Sequence, residues 1–190
     1  MRVISGKNRG FHLKMVPTKL TRPTTDKVKE AMFSMINTYI DKAKVLDLYA
    51  GSGALGIESL SRGACMTYFV DKMPLAIKTI KSNLKFSKNY HNYKILRKPA
   101  GQALKIFQLH KIKFNLIFLD PPYAKQHVVK DLFSMYFKGL LMNNCVIICE
   151  TNRHGFNFLE DNLPNMFNIT KRKRYGITYL TICKLKGNGD

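Results

Sequence analysis

Four consecutive residues, Asp120-Pro121-Pro122-Tyr123, follow directly on the apolar run at 116–119. Pro121 and Pro122 lack an N–H and have a fixed φ, so the segment is stiff and its carbonyls are not committed to a helix. Such a corner suits transfer of a methyl group to an exocyclic base amine. The lone pair of that nitrogen is delocalised into the ring, so the nitrogen is a poor nucleophile. It improves when its two N–H groups are held and its geometry becomes pyramidal. The Asp120 carboxylate and the Pro121 carbonyl supply the two acceptors, and Tyr123 offers a ring for base stacking worth about 1–3 kcal/mol. Positioning then carries most of the rate, with Asp120 or water taking the proton. An ordinary Asp-Pro turn with a surface tyrosine has the same composition, but it gives no reason for the placement after an apolar strand.

A second segment reads Asp47-Leu48-Tyr49-Ala50-Gly51-Ser52-Gly53-Ala54-Leu55-Gly56. Gly51 and Gly53 let the backbone turn tightly and approach a ligand without interference from a Cβ. The glycine spacing also satisfies the dinucleotide fingerprint, and Asp71 stands where an acid that binds ribose hydroxyls belongs. This segment alone does not separate an NAD-type site from one for S-adenosylmethionine (SAM), because both ligands carry an adenosine ribose. The Asp120 segment decides for SAM, since it has no part to play in hydride transfer.

These segments must be held by strands and helices, and the pattern from residue 45 onward supplies them. Residues 45–50, 66–71, 93–96, 115–120 and 145–149 are short, β-branched, mostly apolar runs. Between them, helical periodicity appears at 54–62, 74–86, 102–109 and 128–136. Strands that are apolar almost throughout belong in a parallel sheet covered on both faces. Residues 167–173 and 177–184, joined around Tyr175-Gly176, predict a terminal antiparallel hairpin. The fold class expected is α/β, a doubly wound sheet with one reversed strand. In such sheets ligands lie outside the C-terminal strand edges. Asp47, Asp71, Asp120 and Glu150 all fall there, four of only 12 acidic residues.

The first 44 residues are of another kind. Residues 1–22 hold six basic residues, Arg2, Lys7, Arg9, Lys14, Lys19 and Arg22, and no acid. Two short strands around the flexible turn Gly6-Lys7-Asn8-Arg9-Gly10 are expected, giving a basic extension over residues 1–24 and a main domain over 25–190. Thr24-Thr25-Asp26 marks a helix start. Val28, Ala31, Met32, Met35, Ile36 and Tyr39 then trace one amphipathic face, a stripe for core packing.

The 190 residues carry 32 Lys+Arg against 12 Asp+Glu, a formal charge of +20. An A/T-rich genome would raise Glu as readily as Lys, yet only four Glu are present, so the depletion of acid is the informative half. It points to a polyanionic partner, nucleic acid ahead of an anionic membrane surface. With 45% hydrophobic residues the chain can bury a core, which excludes a disordered basic tail. No apolar run reaches the roughly 18 residues of a membrane span, and no export signal is visible, so a cytoplasmic protein is expected. Cys65, Cys145, Cys149 and Cys183 show no C-x-x-C pair and read as reduced, buried thiols. His12, His91, His110, His127 and His154 are scattered, and no metal site is expected.

Taken together, these residues resemble the RsmD-type 16S rRNA guanine-N2 methyltransferases, within the SAM-dependent Rossmann-like class. The resemblance covers nearly the whole chain. It runs through Arg2-Val3-Ile4-Ser5-Gly6-Lys7, Arg9-Gly10, Thr21-Arg22-Pro23-Thr24-Thr25-Asp26 with Glu30 and Phe33, the Asp47 loop, Ser61-Arg62-Gly63-Ala64 and Asp120-Pro121-Pro122-Tyr123. It implies a seven-stranded sheet in the order 3-2-1-4-5-7-6 and a guanine of small-subunit rRNA as target. It also implies SAM held by Asp47, Ala50, Gly51, Ser52, Gly53, Asp71, Lys72, Met73 and Ala100. In that arrangement Gly51 and Gly53 lie against the methionine part, Asp71 binds the ribose and Met73 packs on the adenine. Asp71 stands where the family more often has Glu, and the loop Arg97-Lys98-Pro99-Ala100-Gly101 lacks the polar residue that often meets adenine.

On the RNA side, Lys7, Arg9, Lys14, Arg22, Lys171, Arg172, Lys173 and Arg174 are the expected phosphate contacts, with the target base turned out into the site. The partner expected is 16S rRNA or the assembling small subunit, and the protein a monomer. Two other readings share much of this pattern: a DNA adenine-N6 methyltransferase and a non-catalytic RNA-binding module.

Overall fold

The computed structural model describes residues 1–17, 25–85, 91–121 and 127–187. Helix α1 (Asp26–Met35) is followed by a short 3-10 turn at Asn37–Tyr39 and then by an alternating series. In order this is β1 (Lys44–Leu48), α2 (Ala54–Ser61), β2 (Met66–Asp71), α3 (Pro74–Lys85), β3 (Tyr93–Arg97), α4 (Ala100–Leu109), β4 (Phe114–Leu119), α5 (His127–Phe137), β5 (Leu141–Thr151), α6 (Arg153–Asp161), β6 (Phe167–Tyr175) and β7 (Thr178–Leu185). The seven strands form one sheet in the order β3-β2-β1-β4-β5-β7-β6. All neighbours through β5 are parallel, and β7 is inserted antiparallel to both β5 and β6. The expected doubly wound sheet and its strand order are therefore present.

Both faces of the sheet are covered, as its apolar strands require. One apolar cluster joins Leu46, Val70, Ile117 and Leu119 to α4, α5 and α6 through Leu104, Phe107, Leu132 and Leu159. On the other face, Val28, Met32, Phe33 and Ile36 of α1 and its C-cap cover Val45, Leu116, Phe118, Val146 and Ile182. A third cluster seats Val3 and Leu13 of the N-terminal segment with α2, α3 and Phe69. The stripe on α1 is thus core packing.

Several boundaries differ from expectation for local reasons. Helix α1 begins where predicted, with Thr25 as N-cap accepting from the Val28 N–H, but ends at Met35 because Asn37 and Thr38 are poor helix formers. Strand β5 starts four residues early, at Leu141, and a register shift between Phe114 and Leu116 absorbs the extra chain. Helix α6 was not expected; Asn152 caps it by accepting from the Gly155 N–H at 2.8 Å. The N-terminal segment is not two strands but one antiparallel bridge, Arg2 to His12. Cys65 is exposed, unlike the buried Cys145, Cys149 and Cys183. Among the described residues, no helix is long and apolar enough to cross a membrane.

The N-terminal segment is stitched to the sheet through buried polar groups. Glu58 of α2, fully buried, accepts from the Ile4 N–H at 2.8 Å, the Ser5 N–H at 3.0 Å and Arg62 Nε at 2.8 Å. It also pairs with the equally buried Lys29 of α1 at 3.2 Å, and Lys29 Nζ donates in turn to the Arg2 carbonyl. Farther along, Asn83 of α3 accepts from the Lys14 N–H and donates to the carbonyls of Lys14 and Ser52. That single amide joins the N-terminal segment to the glycine loop.

Candidate active site

A cavity of about 800 Å³ opens at the C-terminal edge of the sheet. Strand β1 delivers the glycine loop to it. The Val70 carbonyl accepts from the N–H groups of Tyr49 and Ala50 and fixes the start of the loop. The chain then alternates through positive φ at Tyr49 (72°), Gly51 (53°) and Gly53 (79°). A left-handed Tyr49 is strained by about 1–3 kcal/mol. Its hydroxyl donates to Asp131 of α5 at 2.6 Å, which ties β1 to the helix that follows the Asp120 segment. Burial raises both groups, Asp131 above the usual carboxylate range and the Tyr49 phenol above its usual value.

The two glycines do different work. A Cβ on Gly51 would meet nothing within 4 Å, and Gly51 lines the cavity, so this backbone is open to a ligand. A Cβ on Gly53 would lie 3.1 Å from Ile80 and 3.3 Å from Phe69. Gly53 is not among the lining residues; it N-caps α2, and its N–H is taken by the Ala50 carbonyl. Gly53 is thus packed tightly from behind the loop. Gly56 is closer still, with Phe69 only 2.2 Å from where its Cβ would stand.

Besides Asp131, the four acidic side chains at the strand ends line the cavity, as their positions in the sequence indicated. Asp71 at the end of β2 accepts from the Gly51 N–H at 2.9 Å and from the Met73 N–H at 2.8 Å. One oxygen goes to each loop, and each oxygen retains a lone pair for a further donor. Asp47, only 2% exposed, accepts from the Gly56 N–H at 2.9 Å. Burial pushes its carboxyl up to about 7, against the Gly56 hydrogen bond and with help from Asp71. Asp120 follows β4 immediately; burial, then Glu150, then Asp47 hold it well above the usual carboxylate range. Crowding of like charges makes the site ready for a cation.

The remaining lining falls into two halves. On the β1–β3 side are Ala50, Ser52, Lys72, Met73, Lys98, Pro99, Ala100 and Gly101. Pro99 caps α4 without a side-chain hydrogen bond. Across the opening, Pro121, Glu150, Asn152, Tyr175 and Ile177 line the other half, and Met1, Met15, Val16 and Val28 complete the wall. Most of this second half carries no recognisable sequence motif. The Asn152 cap and the exposed turn at Gly176 were the available signals. Pro122, Tyr123 and Arg22 lie outside the described residues.

The expected phosphate contacts do not form one surface. Lys7 and Arg9 sit in a turn that closes on the last residue of α2: Lys7 N–H donates to the Ser61 carbonyl and Asn8 N–H to its hydroxyl. That is about 12 Å of helix away from the cavity. Lys14 is nearer, beside Asn83 and the glycine loop. The basic run in β6 is split by the strand's period of two. Lys171 donates to the Met35 carbonyl on the α1 face, and Lys173 shares that face. Arg172 pairs with Glu160 of α6 at 2.9 Å, and Arg174 lies over Tyr179 on the same side.

The family described as conserved hypothetical protein 95 matches residues 1–184. "Putative rRNA methyltransferase YlbH" of Bacillus subtilis is 42% identical over 190 residues, covering 98% of this chain and 100% of that one. The chain belongs to the RsmD-type, SAM-dependent methyltransferase family. "Ribosomal RNA small subunit methyltransferase D" of Buchnera aphidicola is 33% identical over 153 residues, 80% of this chain and 78% of that one. Among solved structures, "Putative methyltransferase yhhF" from Escherichia coli superposes with a TM-score of 0.81 at 26% identity, covering 98% of each chain. The Rossmann-like sheet is the one expected of this class.

The residues present fit the family's methyl donor, SAM. Gly51 leaves its backbone exposed, Asp71 keeps acceptor capacity for hydroxyls, Met73 and Pro99 offer apolar surface, and the carboxyls across the opening favour a positive charge.

Proposed function

We propose that this protein methylates the N2 amine of a guanine in small-subunit (16S) rRNA, using SAM. The observation that supports it best is the placement of Asp120 and Pro121 on one side of a single cavity with Gly51 and Asp71 on the other. When bound, SAM supplies an electrophilic methyl carbon on a positively charged sulfur. Ala50, Gly51 and Ser52 hold its methionine part, Asp71 its ribose hydroxyls, and Lys72, Met73 and Ala100 its adenine side. Asp47 acts from below, fixing the loop through Gly56.

On the acceptor side, the Asp120 carboxylate and the Pro121 carbonyl take hydrogen bonds from the guanine amine; Pro122 and Tyr123 keep the roles their sequence suggests, a stiff backbone and a ring for base stacking. A positive charge in the cavity lowers the cost of keeping Asp120 ionised beside Glu150 and Asp47, so the base that receives the N–H is made available where it is needed. Lys7, Arg9, Lys14, Arg22 and the basic residues of β6 contact phosphates. The separation of Lys7 and Arg9 from the basic residues of β6 requires an RNA that spans α2 and the β6–β7 hairpin, a structured substrate and not a short strand. The small-subunit methyltransferase name borne by the 33% identical relative supports rRNA over duplex DNA.

The test is nucleoside mass spectrometry of small-subunit rRNA from cells with and without the protein. Loss of one methyl-N2-guanosine on deletion is expected. An unchanged rRNA profile with altered adenine methylation in DNA overturns the proposal.

A further inference from the structure

The turn between β6 and β7 carries a residue that neither the fold nor the methyl transfer requires. Tyr175 pairs with Thr178, leaving Gly176 and Ile177 as a two-residue loop. Gly176 has φ +59° and Ile177 has no positive φ, the pattern of a hairpin turn with glycine first. The position after that glycine usually holds Asn, Asp or Ser, and a β-branched apolar side chain adds nothing to the turn. Ile177 is 58% exposed and belongs to none of the three apolar clusters. Yet it lines the cavity, on the side of Asp120 and Glu150.

The arm that carries Ile177 is stiffened. Arg174 Nε donates to the Gly176 carbonyl at 2.8 Å. Its guanidinium lies 5.5 Å above the Tyr179 ring, and Tyr179 stacks on Phe156 of α6 with centroids 4.9 Å apart. Arg174, which the sequence suggests as a phosphate contact, also braces the turn. An exposed apolar tip on a rigid arm stands at the mouth of the cavity, in a chain of formal charge +20.

We propose that Ile177 is a wedge: when the target base leaves its stack for the cavity, the Ile177 side chain enters the gap and packs against the flanking bases. The proposal rests on the rRNA reading above and deepens it. Extruding a base exposes the apolar faces of its neighbours, and an apolar side chain in the gap recovers contact and opposes return of the base. A rigid tip does this with little ordering cost on binding. Ile177 is a positioning residue, since it touches the vacated stack and not the reacting amine.

The test uses the shortest small-subunit rRNA fragment that the wild-type protein methylates, prepared in natural form and with abasic residues on both sides of the target guanine. The two abasic neighbours remove both stacking partners, so the base is already free and no flanking base remains for Ile177 to pack against. Single-turnover transfer by Ile177→Ala is expected to fall about tenfold or more on the natural RNA and to return to near wild-type on the abasic-flanked RNA, while Ile177→Leu stays near wild-type on both. SAM affinity by calorimetry is expected to be the same in all three proteins. Wild-type rates for Ile177→Ala on the natural RNA, or an equal loss on both RNAs, would overturn the wedge. If the wild-type protein methylates no small-subunit RNA, the rRNA reading itself fails, and the wedge with it.

Discussion

Asp47→Asn separates the cost of a buried charge from the hydrogen bond that the same side chain makes. In the folded protein the carboxyl lies at about 7, above its ordinary value of 3.8. Burial raises it most, the Gly56 N–H opposes, and Asp71 adds to the rise. A carboxyl raised on folding holds its proton longer in the folded state. Between about pH 4 and 7 the folded protein therefore binds more protons than the unfolded chain, and stability falls as pH rises through that window. Above the window the loss is complete and constant. Each pH unit within it corresponds to about 1.4 kcal/mol. Going from pH 5 to 8 crosses about two such units, so Asp47 removes about 3 kcal/mol. Asparagine keeps an oxygen for the Gly56 N–H and never ionises. The stability of Asp47→Asn relative to wild-type should therefore rise by up to about 3 kcal/mol from pH 5 to pH 8, or roughly 6–12 °C in Tm for a chain of this size. Thermal unfolding of both proteins at the two pH values measures this. A difference between them that does not change with pH would refute the reasoning.

Other residues give equally direct tests. Gly51→Val should fold, at a cost of about 1–2 kcal/mol for the left-handed backbone, and should lose SAM binding in calorimetry; retained binding would show that the donor lies elsewhere. Gly53→Val should instead lower Tm more, because its side chain is driven against Ile80 and Phe69. Glu58→Gln leaves Lys29 buried without its carboxylate and should cost about 3–5 kcal/mol in urea unfolding, with the pair Glu58→Gln/Lys29→Met losing less, because the amide oxygen still accepts from the N-terminal segment while the buried charge is gone. Lys7→Ala with Arg9→Ala should leave SAM affinity unchanged and reduce the salt slope of RNA binding by about one per cation removed.

The strands were legible because apolar runs buried on both faces admit few other readings; β2 begins and ends where expected, and β1 and β4 differ by only one or two residues. Asp71 could be matched to Gly51 by spacing, and the two are in contact at 2.9 Å. What spacing does not convey is direction. Gly51 and Gly53 are equivalent in the motif, yet the alternating backbone turns one toward the cavity and the other into the core. The run from Lys171 to Arg174 reads as one basic patch, but a strand sends successive side chains to opposite faces. Lys29 and Glu58 were illegible for a different reason: charged residues in a helical pattern read as solvated, and only tertiary packing shows that each is the other's partner. The acceptor half of the cavity is assembled from β5, α6 and the β6–β7 turn, segments far apart in sequence, and no local pattern joins them.

Methyl transfer as proposed requires a rigid acidic corner that faces the donor's methyl group across the space of one amine nitrogen. A crystal structure of the protein with bound SAM measures this directly. The methyl carbon is expected to turn toward the Asp120 carboxylate and the Pro121 carbonyl, with room for a nitrogen about 3–3.5 Å from that carbon. A methyl carbon pointing away from Asp120, or a donor bound outside the cavity beside Gly51, would contradict it.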